Sequence, residues 1–235
     1  MIELMIELRP PSTFSDFIGI SSVSILGFAV GFGRWIATPS HPPVARHDDI
    51  EPSHLFELAR DHYHRALDPQ SAYVCAVSKG KIVGFAKWRL PAALRRPESL
   101  QQLIWRKTIT YTDAVRNRLF PHRWRNEVRI QMYRDAELKH SQEHFGKSNI
   151  GNMWQLQILV VHPDHQKNGV GTDLLQWGLK QVQERGEKVY VEASIPGKQL
   201  YSKNGFDVVG EMTVADGADK ITSTWLLWSP KEGRA

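Results

Sequence analysis

Cysteine is nearly absent: Cys75 is the only one in 235 residues. A single thiol excludes an internal disulfide and any cysteine-rich zinc site. It fits a reducing compartment, the cytoplasm first and the nucleus left open. Long hydrophobic runs are also scarce. The most apolar stretch, residues 17–33, is punctuated by glycine and serine, and it falls just short of the roughly 18–20 residues a spanning helix needs. A signal peptide wants a basic start, whereas Glu3, Glu7 and Asp16 precede the stretch. It is therefore read as buried or loosely packed chain, and no membrane span is expected. The histidine pairs His41/His47 and His62/His64 lack carboxylate company at metal-ligand spacing, so no metal site is expected. The doubled MIEL of residues 1–8 is too short for a structural repeat, though it makes Met5 an alternative start.

What is present is an ordinary globular composition, 41% hydrophobic and rich in aromatics, at a length that suits one α/β domain with an insertion. The net charge is +5, which alone suits nucleic acid, anionic small molecules or plain solubility equally. Its distribution is uneven. Residues 95–134 hold ten arginines and lysines against only Glu98, Asp113 and Glu127. A solvated helical face is the default reading of such a run, and a surface that draws in anions is the other. No nucleic-acid-reading motif accompanies the charge, so nucleic-acid binding ranks last.

Residues 2–9 end in Arg9-Pro10-Pro11 and read as a first strand stopped by prolines. Residues 34–50, with Pro39, His41, Pro42, Pro43 and His47, read as loop. Pro52-Ser53 opens a helix whose positions Leu55, Leu58, Ala59, His62 and Ala66 recur at helical spacing. Residues 72–78 and 81–90 flank Lys79-Gly80 as a hairpin, with Gly84 marking a bulge or a close packing site. Residues 92–148 are arginine-rich and helical in spacing, divided by Pro121, and look like an insertion. Within them Trp105, Trp124 and Tyr133 read first as packing residues and second as pocket lining. Residues 154–162 form a nearly continuous apolar strand, as a central strand should. After Pro163 and a glycine turn, Val170, Leu174, Leu175, Gly178, Leu179 and Val182 mark one face of a helix. Strands follow at 189–193, 206–211 and 222–228, with a short helix from Pro196 to Lys203.

The turn Gln166-Lys167-Asn168-Gly169-Val170-Gly171 has a direct physical meaning. A helix N-terminus presents unpaired N–H groups and the positive end of a dipole, and glycine lets backbone approach an anion. The turn alone predicts a bound phosphate. It is neither the dinucleotide fingerprint, whose third glycine would fall at Leu174, nor a P-loop.

The run from His162 to Leu175 resembles the central motif of the GCN5-related N-acetyltransferase (GNAT) superfamily, V-x-P-x-x-Q/R-x-x-G-x-G/A followed by a leucine-rich helix. Tyr201-Ser202-Lys203-Asn204-Gly205-Phe206 is similar to the family's Y-x-x-x-G-F at the expected distance. The resemblance implies a mixed α/β sheet splayed at an acetyl-CoA site, and an N-acetyltransferase that passes the acetyl group directly to a primary amine. A monomer or homodimer is expected. It implies that Leu159, Val160, Val161 and Ser194 contact the pantetheine arm. Gln166, Lys167, Asn168, Gly169, Val170, Gly171 and Thr172 would hold the pyrophosphate, and Tyr201 would be the general acid. Two departures stand out: Ser194 where the family often has asparagine, and Val189 where many members carry a glutamate base. Glu192, a water relay and His162 are the candidates for the missing base, although strand alternation turns Glu192 to the face opposite Val189. A non-catalytic CoA-binding module on the same fold is the alternative.

Overall fold

The structure is a computed structural model that describes residues 6–29, 31–38, 42–44 and 46–230. The first-strand reading of 2–9 lies partly outside them, as do Met5, Pro39 and His41. Glu7–Arg9 forms β1. It is followed by α1 (Phe14–Gly27), α2 (Phe32–Ile36) and α3 (Pro52–Ala66). The hairpin is β2 (Ser71–Ser78) and β3 (Lys81–Arg89). Two long helices come next, α4 (Leu100–Leu119) and α5 (Glu127–Phe145), then the single turn α6 (Lys147–Ile150). The remaining elements are β4 (Trp154–Val161), α7 (Val170–Arg185), β5 (Val189–Ser194), α8 (Lys198–Lys203), β6 (Asp207–Asp216) and β7 (Asp219–Trp228).

The seven strands make one mixed sheet in the order β1-β2-β3-β4-β5-β7-β6. Among the described residues only the β4–β5 pair is parallel, and α7 is its crossover. On one face α7 packs Leu174, Leu175, Leu179 and Val182 against Val74, Trp88, Leu156 and Val191. The fit is tight. A Cβ on Gly178 would lie 2.2 Å from the Trp88 ring, so only glycine lets the helix seat there. On the other face α1 and α3 cover β2 and β3 through Phe17, Ile20, Val23 and Ala59, while α2 and α5 cover β5 and β7 around Trp35, Tyr190 and Trp225. The two helical covers leave the middle of β4 open between them: Gln157 is exposed and Ile158 half-buried.

The stretch 17–33 becomes a sheet-packed helix and the start of the next. Thr13 and Asp16 close a capping box at the head of α1. Of the buried serines that interrupt its apolar run, Ser21 donates to the Phe17 carbonyl at 2.8 Å and Ser24 pairs with His62 at 3.2 Å. Among the described residues no helix is long and apolar enough to cross a membrane.

Two readings need correction, and the alternatives for Gly84 resolve together. Residues 34–50 are not all loop: 34–36 belong to α2, Ala37 bridges to Arg125, and His47–Asp49 form a 3-10 turn. β6 runs on to Asp216 and β7 begins at Asp219, a hairpin around Gly217. Its outer half alternates with exposed polar residues, so hydrophobicity stops before the strand does. Gly84 sits beside a register shift in the β2–β3 ladder and is also packed, its Cβ position 3.2 Å from Leu174 and from the Val160 carbonyl.

Candidate functional site

The β4–β5 ladder is short. Trp154, Gln155 and Leu156 pair with Val189, Tyr190 and Val191, and no pairing follows among the described residues. A bulge on β4 lies at the same level: Lys87 pairs Ile158 and Trp88 pairs Leu156, which leaves Gln157 as the extra residue. The bulge bends β4 away from β5, and the two strands part toward their C-terminal ends. His162 N–H donates to the Val83 carbonyl at 2.8 Å. Antiparallel alternation then turns the peptide groups of Val161 and Leu159 the other way, into the gap. Val160 departs from the reading that grouped it with them. Its carbonyl stands against β3 beside Gly84, and its side chain packs under α1, where a Cβ on Gly27 would lie 2.1 Å from it.

The glycine turn closes one end of the gap. Lys167 and Gly169 have positive φ, 61° and 85°, and Gly169 is the left-handed N-cap of α7. This backbone leaves the N–H groups of residues 167–171 without a protein acceptor among the described residues. The N–H of Thr172 is spent on the Gly169 carbonyl at 2.8 Å. Gln166 also turns inward, its amide donating to the Val161 carbonyl at 3.0 Å and fixing the turn to the strand end. Gly171 is informative. Its φ is ordinary and an added Cβ would meet nothing closer than 3.5 Å, so the fold itself does not demand glycine there. Glycine there leaves the backbone open to the approach of a ligand. Free amides, a helix N-terminus and an unfilled Cβ position together fit a pyrophosphate.

Tyr201 on α8 lies across the gap, buried with Ala193, Val161 and Phe206, its ring 5.6 Å from that of Phe206. Burial raises its pKa, which keeps the phenol protonated. Ser194, at the end of β5, accepts from the Gly197 N–H at 3.3 Å, so its short side chain serves the local turn.

Glu192 faces away from the α7 side. Val189 and Ala193 are core residues under α7, whereas Glu192 pairs with Trp225 on the opposite face. There it accepts hydrogen bonds from Tyr133 of α5 and Ser223 of β7. Its pKa is pushed up to about 7, chiefly by burial, with Glu137 nearby adding to the rise and the two hydroxyl donors opposing it. Glu137, one turn along α5 from Tyr133, is itself raised by burial and takes a hydrogen bond from Gln155 at 3.2 Å. On the other flank of the open β4 face lies Lys87, only 8% exposed, 5.9 Å from the Tyr73 ring centre and pushed down to about 7 by burial. His162 is differently employed: its Nδ1 accepts from the Asp164 N–H at 3.2 Å and caps the turn that follows β4.

Glu137 and Lys87 are groups beside the gap that the sequence reading did not name, and Tyr133 is one it read only second as pocket lining. Lys87 carried a signal, because period two puts it on the buried face with Phe85. Tyr133 and Glu137 share a helix face by their spacing of four, but nothing local says what that face meets. Of the other aromatic residues, Trp124 donates to Glu57 at 3.2 Å and stacks on His54, a packing role. Trp105 is neither packed nor in a pocket, being 60% exposed. Among the described residues no three His, Cys, Asp or Glu side chains gather as a metal site.

The family model described as acetyltransferase (GNAT) domain matches residues 117–226, which contain the turn, the parted strands and Tyr201. Over those residues, a little under half of the chain, the sequence is similar to the GNAT acetyltransferase domain. A fungal relative described as an acetyltransferase, from Stachybotrys chartarum, is 40% identical over 60 residues; the matched stretch spans 26% of this chain and 26% of that protein. Among solved structures, the GNAT fold recurs in a Corynebacterium glutamicum protein titled histone acetyltransferase HPA2 and related acetyltransferase, with a TM-score of 0.54, 20% identity and 98% and 99% of the two chains covered. An acetyltransferase from Thermus thermophilus aligns with a TM-score of 0.50 and 15% identity over 97% and 99% of the chains. At these identities the likeness is one of fold.

Proposed function

We propose that this protein is a member of the GNAT superfamily and an acetyl-CoA-dependent N-acetyltransferase that delivers acetyl groups to a primary amine in a ternary complex. The observation that carries the reading is the coincidence of three features at one gap: the early end of the β4–β5 ladder, the unpaired amides of 167–171, and the buried Tyr201. Acetyl-CoA, the co-substrate, supplies an activated acetyl thioester. The amides of 167–171 and the dipole of α7 hold its pyrophosphate, and Lys167 and Asn168 border that site. The inward peptide groups of Leu159 and Val161 bond the pantetheine arm as a missing strand would, and Ser194 stands at the far edge of the same gap. Tyr201, kept protonated by burial, gives its proton to the departing thiolate.

Glu192 is the base of this reading. Its carboxylate lies on the face opposite α7, where the open middle of β4 leaves room for an acceptor. With a pKa near 7 it can accept the proton of an arriving ammonium, directly or through one water. Holding amine and thioester in line then supplies much of the acceleration.

The test is thiol release from acetyl-CoA with a panel of primary amines, together with calorimetry for CoA binding. Turnover that falls about 100-fold or more in Tyr201→Phe, with CoA affinity kept, is the expected result. CoA binding without turnover by any amine would make the protein a CoA-binding module, and no CoA binding at millimolar concentration would sink both readings.

A further inference from the structure

Helix α4 is amphipathic in the wrong direction. A helix on a globular surface ordinarily turns its apolar stripe inward. Here the face toward the protein is largely ionic: Arg106 is held by Glu98 at 2.7 Å, Asp113 by Arg60 at 3.4 Å and by His64, and Arg116 by Glu57 at 3.1 Å. No residue of α4 is buried. Leu100, Ile104, Tyr111, Val115 and Leu119 recur at helical spacing along the outer face, and Trp105 stands beside them. Tyr111 is 71% exposed and Leu100 72%. Aromatic side chains carry about 150–250 Å² each, so Trp105, Tyr111 and the adjoining Phe120 alone leave several hundred Å² of apolar surface in water. Patches of that size mark interaction sites.

The charges on that face choose among occupants. Lys107 and Arg118 fall within the stripe, exposed and without a carboxylate partner among the described residues. Asp113, the helix's sole acid, is turned inward to Arg60 and His64. A second copy of the chain, packed stripe to stripe, would carry four unpaired cations into one dry seam. An anionic lipid surface accepts both features. Lysine and arginine stems lie along apolar surface with their heads at phosphate level, tryptophan and tyrosine favour the same depth, and each cation gains from the leaflet's negative potential. A helix of 20 residues, about 30 Å long, would lie flat with its stripe at the acyl boundary.

We infer that α4 is a peripheral membrane-docking helix that seats this acetyltransferase on anionic bilayers. The full chain should co-sediment with vesicles of phosphatidylcholine mixed with phosphatidylserine, and less so as salt is raised. Lys107→Gln with Arg118→Gln should lower the partition about tenfold or more, and Ile104→Glu with Tyr111→Glu should abolish it at every salt concentration. All four positions are exposed, so thermal melting should match that of the wild type in both variants. Three outcomes would overturn the inference: no binding to anionic vesicles, binding that both variants retain, or a wild-type dimer that Ile104→Glu with Tyr111→Glu converts to monomer without vesicle binding. The last would assign the stripe to a second copy.

Discussion

In the proposed reaction Glu192 concentrates the chemistry at the scale of single residues. Burial raises its pKa to about 7 from 4.5, so the folded protein holds a proton there that the unfolded chain has already released. Two consequences have opposite signs. Stability falls as pH rises from about 4.5 through about 7, while activity that needs the carboxylate rises through the same upper value. A kcat/KM profile with an acid limb near pH 7 is expected, absent in Glu192→Gln. Tyr133 is a positioning residue, and its hydroxyl lowers that pKa by donating to the carboxylate. Tyr133→Phe should therefore move the acid limb to higher pH, a change that simple loss of packing would not produce. An unshifted limb would separate Tyr133 from the base. Glu192 was legible in the sequence as a nearby carboxylate facing the wrong way from Val189; what that other face holds was not, because Tyr133 and Ser223 come from 59 residues upstream and 31 downstream.

At the scale of elements, α7 carries two glycines with different physical reasons. Gly178 is a packing glycine, since its Cβ position is 2.2 Å from Trp88. Gly178→Ala should cost about 1–3 kcal/mol by overpacking, more than the roughly 1 kcal/mol gained in helix propensity. The melting temperature should fall by several degrees, roughly 2–4 °C per kcal/mol for a chain of this size. Gly171 has no such neighbour. Gly171→Ala should leave the melting temperature unchanged or slightly higher and weaken CoA binding about tenfold or more, since a methyl group would stand where the phosphate approaches. If Gly171→Ala binds CoA as tightly as the wild type, the cradle assignment fails. The sequence marked both glycines, one in the turn and one on the apolar face of the helix, yet only the contact with Trp88, 90 residues away in the chain, tells them apart.

At the scale of the whole molecule, the sheet is held on both sides of the gap but not across it. The α7 side is a continuous core, whereas the opposite face has two separate clusters with β4 open between them. A ligand that bonds both parted strands completes the sheet, so binding should stabilise the entire fold. At CoA concentrations about 100-fold above Kd the gain is roughly 2.7 kcal/mol, which corresponds to a rise of about 5–10 °C in melting temperature. Differential scanning fluorimetry over a CoA titration checks this. A flat response would mean that the gap does not receive CoA.

Helix α3, the hairpin β2–β3, the central strand β4, helix α7 and the glycine turn before it were legible in the sequence itself. Each rests on local physics: hydrophobic period, prolines and glycines at element ends, and the free amides of a helix N-terminus. The tertiary structure decided what depends on residues distant in the chain. The bulge at Gln157 opens β4 from β5, alternation against β3 turns Leu159 and Val161 toward the gap but not Val160, and α5 brings Tyr133 and Glu137 over Glu192. The basic run of 95–134 shows the same division. Its charge was plain in the sequence, but only the packing of α4 on α3 shows that its ion-paired residues face the protein while its apolar residues, with Lys107 and Arg118, face the solvent.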